Sequence, residues 1–191
     1  MDCLFGVKGK DFVVLAADGT VEFSIVKFKD NEDKISVIEN KLVAAAGSQG
    51  ERTNLMEYLE RNFQLYSIRN SLPLTTTAAA NFARTEMARF LRSSPYQCNL
   101  LIAGWDQAVG GKLFYLDHLA ALQEVNKGAH GYGAYFALGL LDRYWHPEIS
   151  ETEAIELIHK CINEIRVRFL MDRNHFVIKL VNKDGVKVIQ A

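Results

Sequence analysis

The stretch MDCLFGVKGKDFVVLAAD, residues 1–18, decides the fold of this chain. Two apolar runs flank the Lys-Gly-Lys-Asp segment at 8–11, and glycine among charged residues is typical of a turn, so the pattern predicts a β-hairpin. The second arm, at 12–17, is apolar without alternation, which indicates a strand that is covered on both faces. Chain termini normally fray, whereas this hairpin predicts that the first residues are buried in a sheet.

Two charged residues near this buried terminus suggest a particular chemistry. Asp18 ends the hairpin, and Lys34 begins a later apolar segment. An N-terminal nucleophile can use the free amine of its own residue as the base, with nearby charges tuning both groups. Asp18 and Lys34 are therefore candidate site residues.

Length and composition indicate one ordinary globular domain. No linker, repeat or low-complexity segment divides the 191 residues, so we expect a single domain over 1–191. The net charge is −1, which gives no electrostatic reason to expect nucleic acid or an anionic membrane as a partner. No run approaches the roughly 18 apolar residues of a membrane span, and we expect no signal peptide before Phe12.

The three cysteines, Cys3, Cys98 and Cys161, are widely spaced in apolar surroundings. This pattern favours buried free thiols in a reducing compartment over disulfides. No cysteine or histidine pair has the spacing of zinc ligands, and the glycine-rich segment at 128–133 does not match a dinucleotide-binding fingerprint. The sequence therefore predicts no metal and no cofactor.

Hydrophobic periodicity predicts strands, two helices, strands, two helices and strands, in that order. Tyr66 falls on the apolar stripe of the first helix and Leu138 on that of the third. The predicted elements are strands at 21–28 (with Ile25 and Val26 inside), 34–38 and 41–47, helices at 48–70 (capped by Ser48) and at 75–91 (capped by Thr75), strands at 97–104, 112–117 and 119–122, a helix after the loop at 128–133, a helix with a capping box at Ser150 and Glu153, and a hairpin at 175–189.

This clustering of strands favours packed antiparallel sheets with helices outside them over an alternating parallel sheet. The strands that are apolar on both faces need a layer on each side. The sequence therefore predicts an α+β fold with four layers, in which two antiparallel sheets lie between two pairs of helices.

Six short segments are spread along nearly the whole chain: Glu-Tyr-Leu at 57–59, Gln-Leu-Tyr at 64–66, Leu-Arg-Ser-Ser-Pro-Tyr at 91–96, Asn-Leu-Leu-Ile-Ala-Gly at 99–104, Ala-His-Gly-Tyr-Gly at 129–133 and Leu-Asp-Arg-Tyr at 141–144. Together they resemble β-type subunits of the 20S proteasome, and among them the non-catalytic subunits at the fourth position of the β-ring. The resemblance implies the four-layer N-terminal-nucleophile fold and a seven-membered β-ring, two of which enclose the proteolytic chamber. It also implies other α and β subunits as partners, and the cytoplasm and nucleus as location.

The resemblance also implies that the catalytic site is lost. It aligns Asp18, Lys34 and Gly47 with conserved family positions, and it places Asp2 where active members carry the threonine nucleophile. We interpret the three retained residues as structural. The chain is thus expected to be a non-catalytic structural subunit, an inactive member of a threonine peptidase family.

Two further departures agree with this loss. Active members carry Gly-Ser-Gly at the start of the third helix, where this chain has Gly131-Tyr132-Gly133. Active members also carry Asp-x-x-Ser-Gly-Gly after the fourth helix, where this chain has Phe-Leu-Met-Asp-Arg-Asn at 169–174.

Two alternatives remain open. Cys3 could be the nucleophile of a peptidase or amidohydrolase if Met1 and Asp2 were trimmed, since a thiolate is a strong nucleophile. Successive side chains of a strand point to opposite faces, however, so Cys3 would point away from Asp18 and Lys34. The chain could instead be an assembly or interaction factor outside the particle, which predicts a stable free monomer.

The junction between the third and fourth helices is a candidate contact surface. Arg143, Tyr144 and Trp145 lie there, and these residue types are enriched at interface hot spots. The resemblance implies that these two helices face the opposite β-ring. We expect Tyr144 or Arg143 to contact that ring and Trp145 to lie partly in the core of its own subunit. The alternative is that all three residues only close the end of the helix layer.

Overall fold

The computed structural model describes residues 2–24, 26–171 and 173–190. Its elements follow the predicted order of strands, two helices, strands, two helices and strands. The helices are α1 (Gln49–Asn70), α2 (Thr76–Phe90), α3 (Ala134–Tyr144) and α4 (Glu151–Arg168). The strands are β1 (Cys3–Lys8), β2 (Phe12–Asp18), β3 (Val21–Phe23), β4 (Val26–Lys29), β5 (Ile35–Ile38), β6 (Lys41–Gly47), β7 (Cys98–Asp106), β8 (Gly110–Leu116), β9 (Leu122–Glu124), β10 (Lys127–Gly131), β11 (Phe176–Asn182) and β12 (Gly185–Ile189).

Over the described residues the strands form two five-stranded sheets and a separate two-stranded ribbon, β3–β4. The first sheet has the order β10-β1-β2-β11-β12, and the second has the order β5-β6-β7-β8-β9. Neighbouring strands pair antiparallel throughout. The N-terminal hairpin is confirmed: Leu4 pairs with Ala17, and all seven residues of β2 are buried.

Three apolar cores separate four layers. The first sheet packs against α3 and α4, the second packs against α1 and α2, and the two sheets pack against each other. The predicted α-β-β-α sandwich is therefore confirmed, with β2 and β7 covered on both faces. None of the helices in the described parts of the chain is long and apolar enough to cross a membrane.

Helix caps agree with the prediction at α2 and α4 and differ at α1. The Thr75 hydroxyl accepts the Ala78 amide at 3.2 Å, and Ser150 with Glu153 forms the predicted capping box. The Ser48 side chain makes no capping hydrogen bond, so that prediction was wrong.

Two residues predicted to lie on the apolar, core-facing stripes of α1 and α3 are exposed in the structure. Tyr66 is 43% exposed and Leu138 is 39% exposed. A helix of 22 residues such as α1 spans about 33 Å, whereas the seven-residue strand β6 beneath it spans about 23 Å. The last turns of α1, which carry Tyr66, therefore extend beyond the sheet that would cover them.

Three strand predictions need correction. The predicted strand at 21–28 is the ribbon β3–β4, which turns at Ser24 with φ of 54°; Ile25 lies outside the described residues. The predicted strand at 119–122 is a turn around Ala120, because the Asp117 carboxylate accepts the amides of residues 119 and 121. The predicted loop at 128–133 is largely strand β10, which pairs with β1.

Candidate functional site

The topology brings four chain segments to one end of the sandwich. In the first sheet, β1 begins at this end and β2 finishes there, because the two strands are antiparallel. In the second sheet, β6 finishes at the same end beside the start of β5. The candidate residues Asp2, Asp18, Lys34 and Gly47 stand at these strand ends, and hydrogen bonds join all four.

The Asp2 carboxylate lies at the centre of the group. Its Oδ1 accepts a hydrogen bond from Lys34 Nζ at 2.6 Å, and its Oδ2 accepts one from the backbone N–H of Gly47 at 2.8 Å. Arg52 Nη1 lies 3.9 Å from Oδ1. Both oxygens of this carboxylate are thus held by cationic or backbone donors.

Asp18 is fully buried beneath this carboxylate. Its Oδ1 accepts the Cys3 amide at 2.7 Å and Lys34 Nζ at 3.1 Å. Lys34 also donates to the Thr20 carbonyl at 2.7 Å. Burial raises the pKa of Asp18 above its ordinary value, and the Lys34 charge opposes that rise. Asp18 therefore fixes the start of β1 and the lysine together.

Cys3 points to the other side of the sheet, as strand alternation predicts. Its side chain is fully buried in the core beneath α3 and α4, and its sulfur lies next to Gly133. Burial, followed by the nearby Asp18 charge, raises the pKa of this thiol to about 12. Cys98 and Cys161 are buried free thiols as well.

Two glycines allow the backbone to close around Asp2. Gly47 has φ of 143° and Gly131 has φ of 74°, conformations that side chains disfavour. A side chain at 131 would collide with the Asp2 carbonyl, and one at 47 would collide with the Gln97 carbonyl. Gly47 can therefore present its N–H to the carboxylate.

The sequence analysis did not predict that Arg173 belongs to the site. It is almost completely buried, and its guanidinium binds both oxygens of Glu22, at 2.5 and 2.9 Å. Its Nε lies 3.7 Å from Asp18 Oδ2. Burial lowers the pKa of Arg173, but the Glu22 hydrogen bonds and the Asp18 charge outweigh it, so the net shift is upward. We call Asp2, Asp18, Glu22, Lys34 and Arg173 the charge cluster.

A signal for Arg173 was present in the sequence. The predicted site held two carboxylates, Asp2 and Asp18, against one cation, Lys34. Buried charges are rarely left uncompensated, so the sequence indicates that further cations lie near this site. Arg52 lies 3.9 Å from Asp2, and Arg173 lies 3.7 Å from Asp18 while it binds Glu22. Asp172, in the same segment at 169–174 as Arg173, lies outside the described residues.

A cleft of about 640 Å³ opens beside Asp2. Its walls come from the β3–β4 ribbon, the end of β6, the first turn of α1, and the backbone of β10. No group of three or more His, Cys, Asp or Glu side chains in the described chain is placed to hold a metal ion.

Comparison with known proteins agrees with this architecture. Residues 2–181 match the family described as "Proteasome subunit". The chain belongs to the proteasome subunit family. It is 50% identical over 188 residues to proteasome subunit beta type-2-A of Arabidopsis thaliana, covering 98% of this chain and 92% of the relative. Proteasome subunit beta type-2 of Dictyostelium discoideum is 46% identical over 99% of this chain and 97% of the relative. Proteasome subunit beta type-4 of Saccharomyces cerevisiae is 35% identical over 99% and 97%, respectively. The resemblance to β-type proteasome subunits is confirmed.

In this proteasome subunit the three candidate contact residues lie away from the cleft, at the α3–α4 corner (residues 142–147). Trp145 is half-buried, and its Nε1 donates to the Lys8 carbonyl at 2.8 Å. The Tyr144 ring is 44% exposed, with Lys160 Nζ 4.9 Å and Arg143 Cζ 5.5 Å from its centroid. Trp145 thus packs within its own subunit, while Tyr144 and Arg143 face outward.

Proposed function

We propose that this chain is a β subunit of the 20S proteasome core that helps to form the β-ring and its chamber without cleaving peptide bonds itself. Residues 1–191 act as one domain that assembles with other α and β subunits in the cytoplasm and nucleus. No cofactor is required. Asp18, Lys34 and Gly47 remain as structural parts of the former active site.

The position of the Asp2 carboxylate carries the proposal. A carboxylate bound to a lysine cannot replace the hydroxyl of the threonine nucleophile. Backbone N–H donors in acyl-transfer enzymes stabilise the oxyanion of the intermediate, but here the Gly47 N–H already donates to Asp2 Oδ2 at 2.8 Å. The nucleophile is therefore absent, and a donor that could serve the reaction is occupied.

The surroundings of Cys3 argue against the alternative peptidase. Its side chain is fully buried on the helix side of the sheet, and its raised pKa disfavours the thiolate that would attack. Trimming Met1 and Asp2 would leave the sulfur on the side of the strand away from Lys34.

The test uses the tagged chain, purified from its own cells and examined by native mass spectrometry. We expect a large particle of fixed stoichiometry. Treating that particle with a threonine-directed covalent inhibitor should label other subunits, which serve as the internal control, and leave this chain unmodified. Label on Asp2 or Cys3 would contradict the inactive role. Recovery of the chain as a free monomer alone would favour the assembly-factor alternative.

A further inference from the structure

The β3–β4 ribbon is a separate unit on the surface of the sandwich. In the described chain its two strands pair with each other and with neither five-stranded sheet. Val21, at the base of the ribbon, is buried, but all four residues of β4 are exposed and Phe23 is 75% exposed. Beyond its base the ribbon therefore gains little from apolar burial, because most of its apolar surface stays in water.

Contacts at its base join the ribbon to the rest of the protein. The Glu32 N–H donates to the Gly19 carbonyl, and the Gly19 N–H donates to the His175 carbonyl, both at 2.9 Å. The Glu22 side chain is turned inward and is only 4% exposed, and both of its carboxylate oxygens accept hydrogen bonds from Arg173. Such a bidentate pair fixes the orientation of the two groups as well as their distance.

Arg173 is itself held by the sandwich on the side away from the ribbon. Its Nε lies 3.7 Å from Asp18 Oδ2, at the end of β2. Its Cζ lies 5.3 Å from the centroid of the Phe169 ring, which is within the range of a cation–π contact. Phe169 in turn packs on Phe136 of α3, with 5.9 Å between the ring centroids. Arg173 is thus anchored to the first sheet and to the helix layer independently of the ribbon.

We propose that the Arg173–Glu22 pair is a latch that holds the ribbon against the sandwich, and that the ribbon detaches as a unit when the pair is broken while the sandwich stays folded. Regions with few buried apolar contacts open at a lower free energy than the whole fold. Detachment also relieves the broken pair, because a Glu22 carboxylate that has lost its partner becomes hydrated. Asp18 does not need the latch, since Lys34 still donates to it at 3.1 Å. The latch uses residues of this chain alone and does not depend on the proposed function.

The test measures hydrogen–deuterium exchange of the full chain by mass spectrometry, at urea concentrations below the unfolding transition. The peptide that spans residues 19–32 is compared with a peptide from the central strand β7. The 19–32 peptide should exchange faster than β7 and with little dependence on urea, because local opening exposes little surface. Arg173→Met, which removes the charge, should raise the exchange rate of the 19–32 peptide at least about tenfold, because a hydrogen bond to a charged group shifts an equilibrium by that factor or more.

Two further variants complete the test. Arg168→Met is the matched control, because Arg168 also pairs with a carboxylate, that of Glu164, but its side chain is 64% exposed at the end of α4. It should leave the exchange of the 19–32 peptide at the wild-type rate. Arg173→Lys keeps the charge and tests the latch even if Arg173→Met fails to fold. Lysine lacks the planar fork that binds both oxygens of Glu22, so the 19–32 peptide should again exchange faster than in the wild-type chain.

Two results would refute the latch. One is a wild-type rate for the 19–32 peptide in the Arg173 variants, which would show that the pair does not hold the ribbon. The other is exchange of the 19–32 peptide at the same rate and with the same urea dependence as β7, which would show that the ribbon opens only when the whole chain unfolds.

Discussion

The charge cluster and the α3–α4 corner both bring charged side chains together, in opposite surroundings. In the cluster, Lys34 and Asp18 are buried and hydrogen-bonded to each other. At the corner, Arg143 and Tyr144 face outward and contact each other only through a cation–π pair, with 5.5 Å between Arg143 Cζ and the ring centroid.

The two regions therefore differ in how much their charged pairs contribute to the stability of the fold. Removing one partner of a buried ion pair strands the other charge, whereas an exposed pair contributes about 0–1 kcal/mol. The cluster therefore matters for the fold of this chain. The corner matters little for that fold, so any constraint on its residues comes from what it contacts.

The largest effect should follow from Lys34→Ala. This change leaves Asp2 and Asp18 without their shared cation, and we expect the free energy of unfolding to fall by about 3–5 kcal/mol. Incorporation into particles should fall with it, while the peptidase activity per assembled particle should stay unchanged. Urea denaturation of the chain and quantitative mass spectrometry of purified particles measure the two effects.

The matched control is Lys29→Ala. Lys29 also binds a carboxylate at 2.6 Å, that of Glu32, but its side chain is 49% exposed. Its loss should cost less than about 1 kcal/mol. If the two variants are equally stable and assemble equally well, the cluster is dispensable and the contrast between the two regions fails.

His130 provides a third case, because it is a buried titratable side chain that is kept neutral instead of being paired with an opposite charge. Its Nε2 lies 3.0 Å from the Leu100 carbonyl, and its ring stacks on Tyr115 at 4.0 Å. Burial lowers the pKa of His130 to about 4. In the unfolded chain its pKa is near 6.5, so the unfolded state binds the extra proton first, and stability is lost as pH falls from 6.5 towards 4.

This loss should reach about 3 kcal/mol near pH 4. The raised pKa of Asp18 acts in the opposite direction, since its folded form takes up a proton first, so the comparison must be between variants. We expect His130→Gln to show a shallower fall of unfolding free energy below pH 6.5 than the wild-type chain. Identical slopes for the wild-type and His130→Gln chains would show that His130 does not titrate on unfolding.

The parts of the fold that were predictable are those whose pattern is local. The turn at 8–11 and the uninterrupted apolar run of β2 specify the N-terminal hairpin, and strands covered on both faces require four layers. Strand β10 was missed because Lys-Gly-Ala-His-Gly has little strand propensity; its pairing with β1 is a tertiary effect. At 21–28 the apolar residues predicted one strand, whereas the structure has two short strands, on which Phe23 and Phe28 are exposed.

The site was predictable only as far as the resemblance reached. It placed Asp2, Asp18 and Lys34 together, which no local pattern could have done across 32 residues of sequence. Arg173 binds Glu22 across 151 residues, and neither residue belongs to a recognisable motif. The need to compensate buried carboxylates predicts a nearby cation, but the sequence does not identify which residue it is; the tertiary structure does.

The smallest effect on the chain itself should come from the corner, where Arg143→Ala combined with Tyr144→Ala removes the outward-facing pair. The subunit should keep its unfolding free energy within about 1 kcal/mol, because both side chains are exposed and their pairing is weak. If the corner contacts the opposite β-ring, as we expect, half-particles should accumulate on native gels, since losing a hot-spot pair costs on the order of 2 kcal/mol or more of binding.

The control is Lys187→Ala with Val188→Ala, a basic residue beside an exposed apolar one on β12, which should give full particles. Full particles at normal yield from both double mutants would show that the corner does not contact the opposite β-ring.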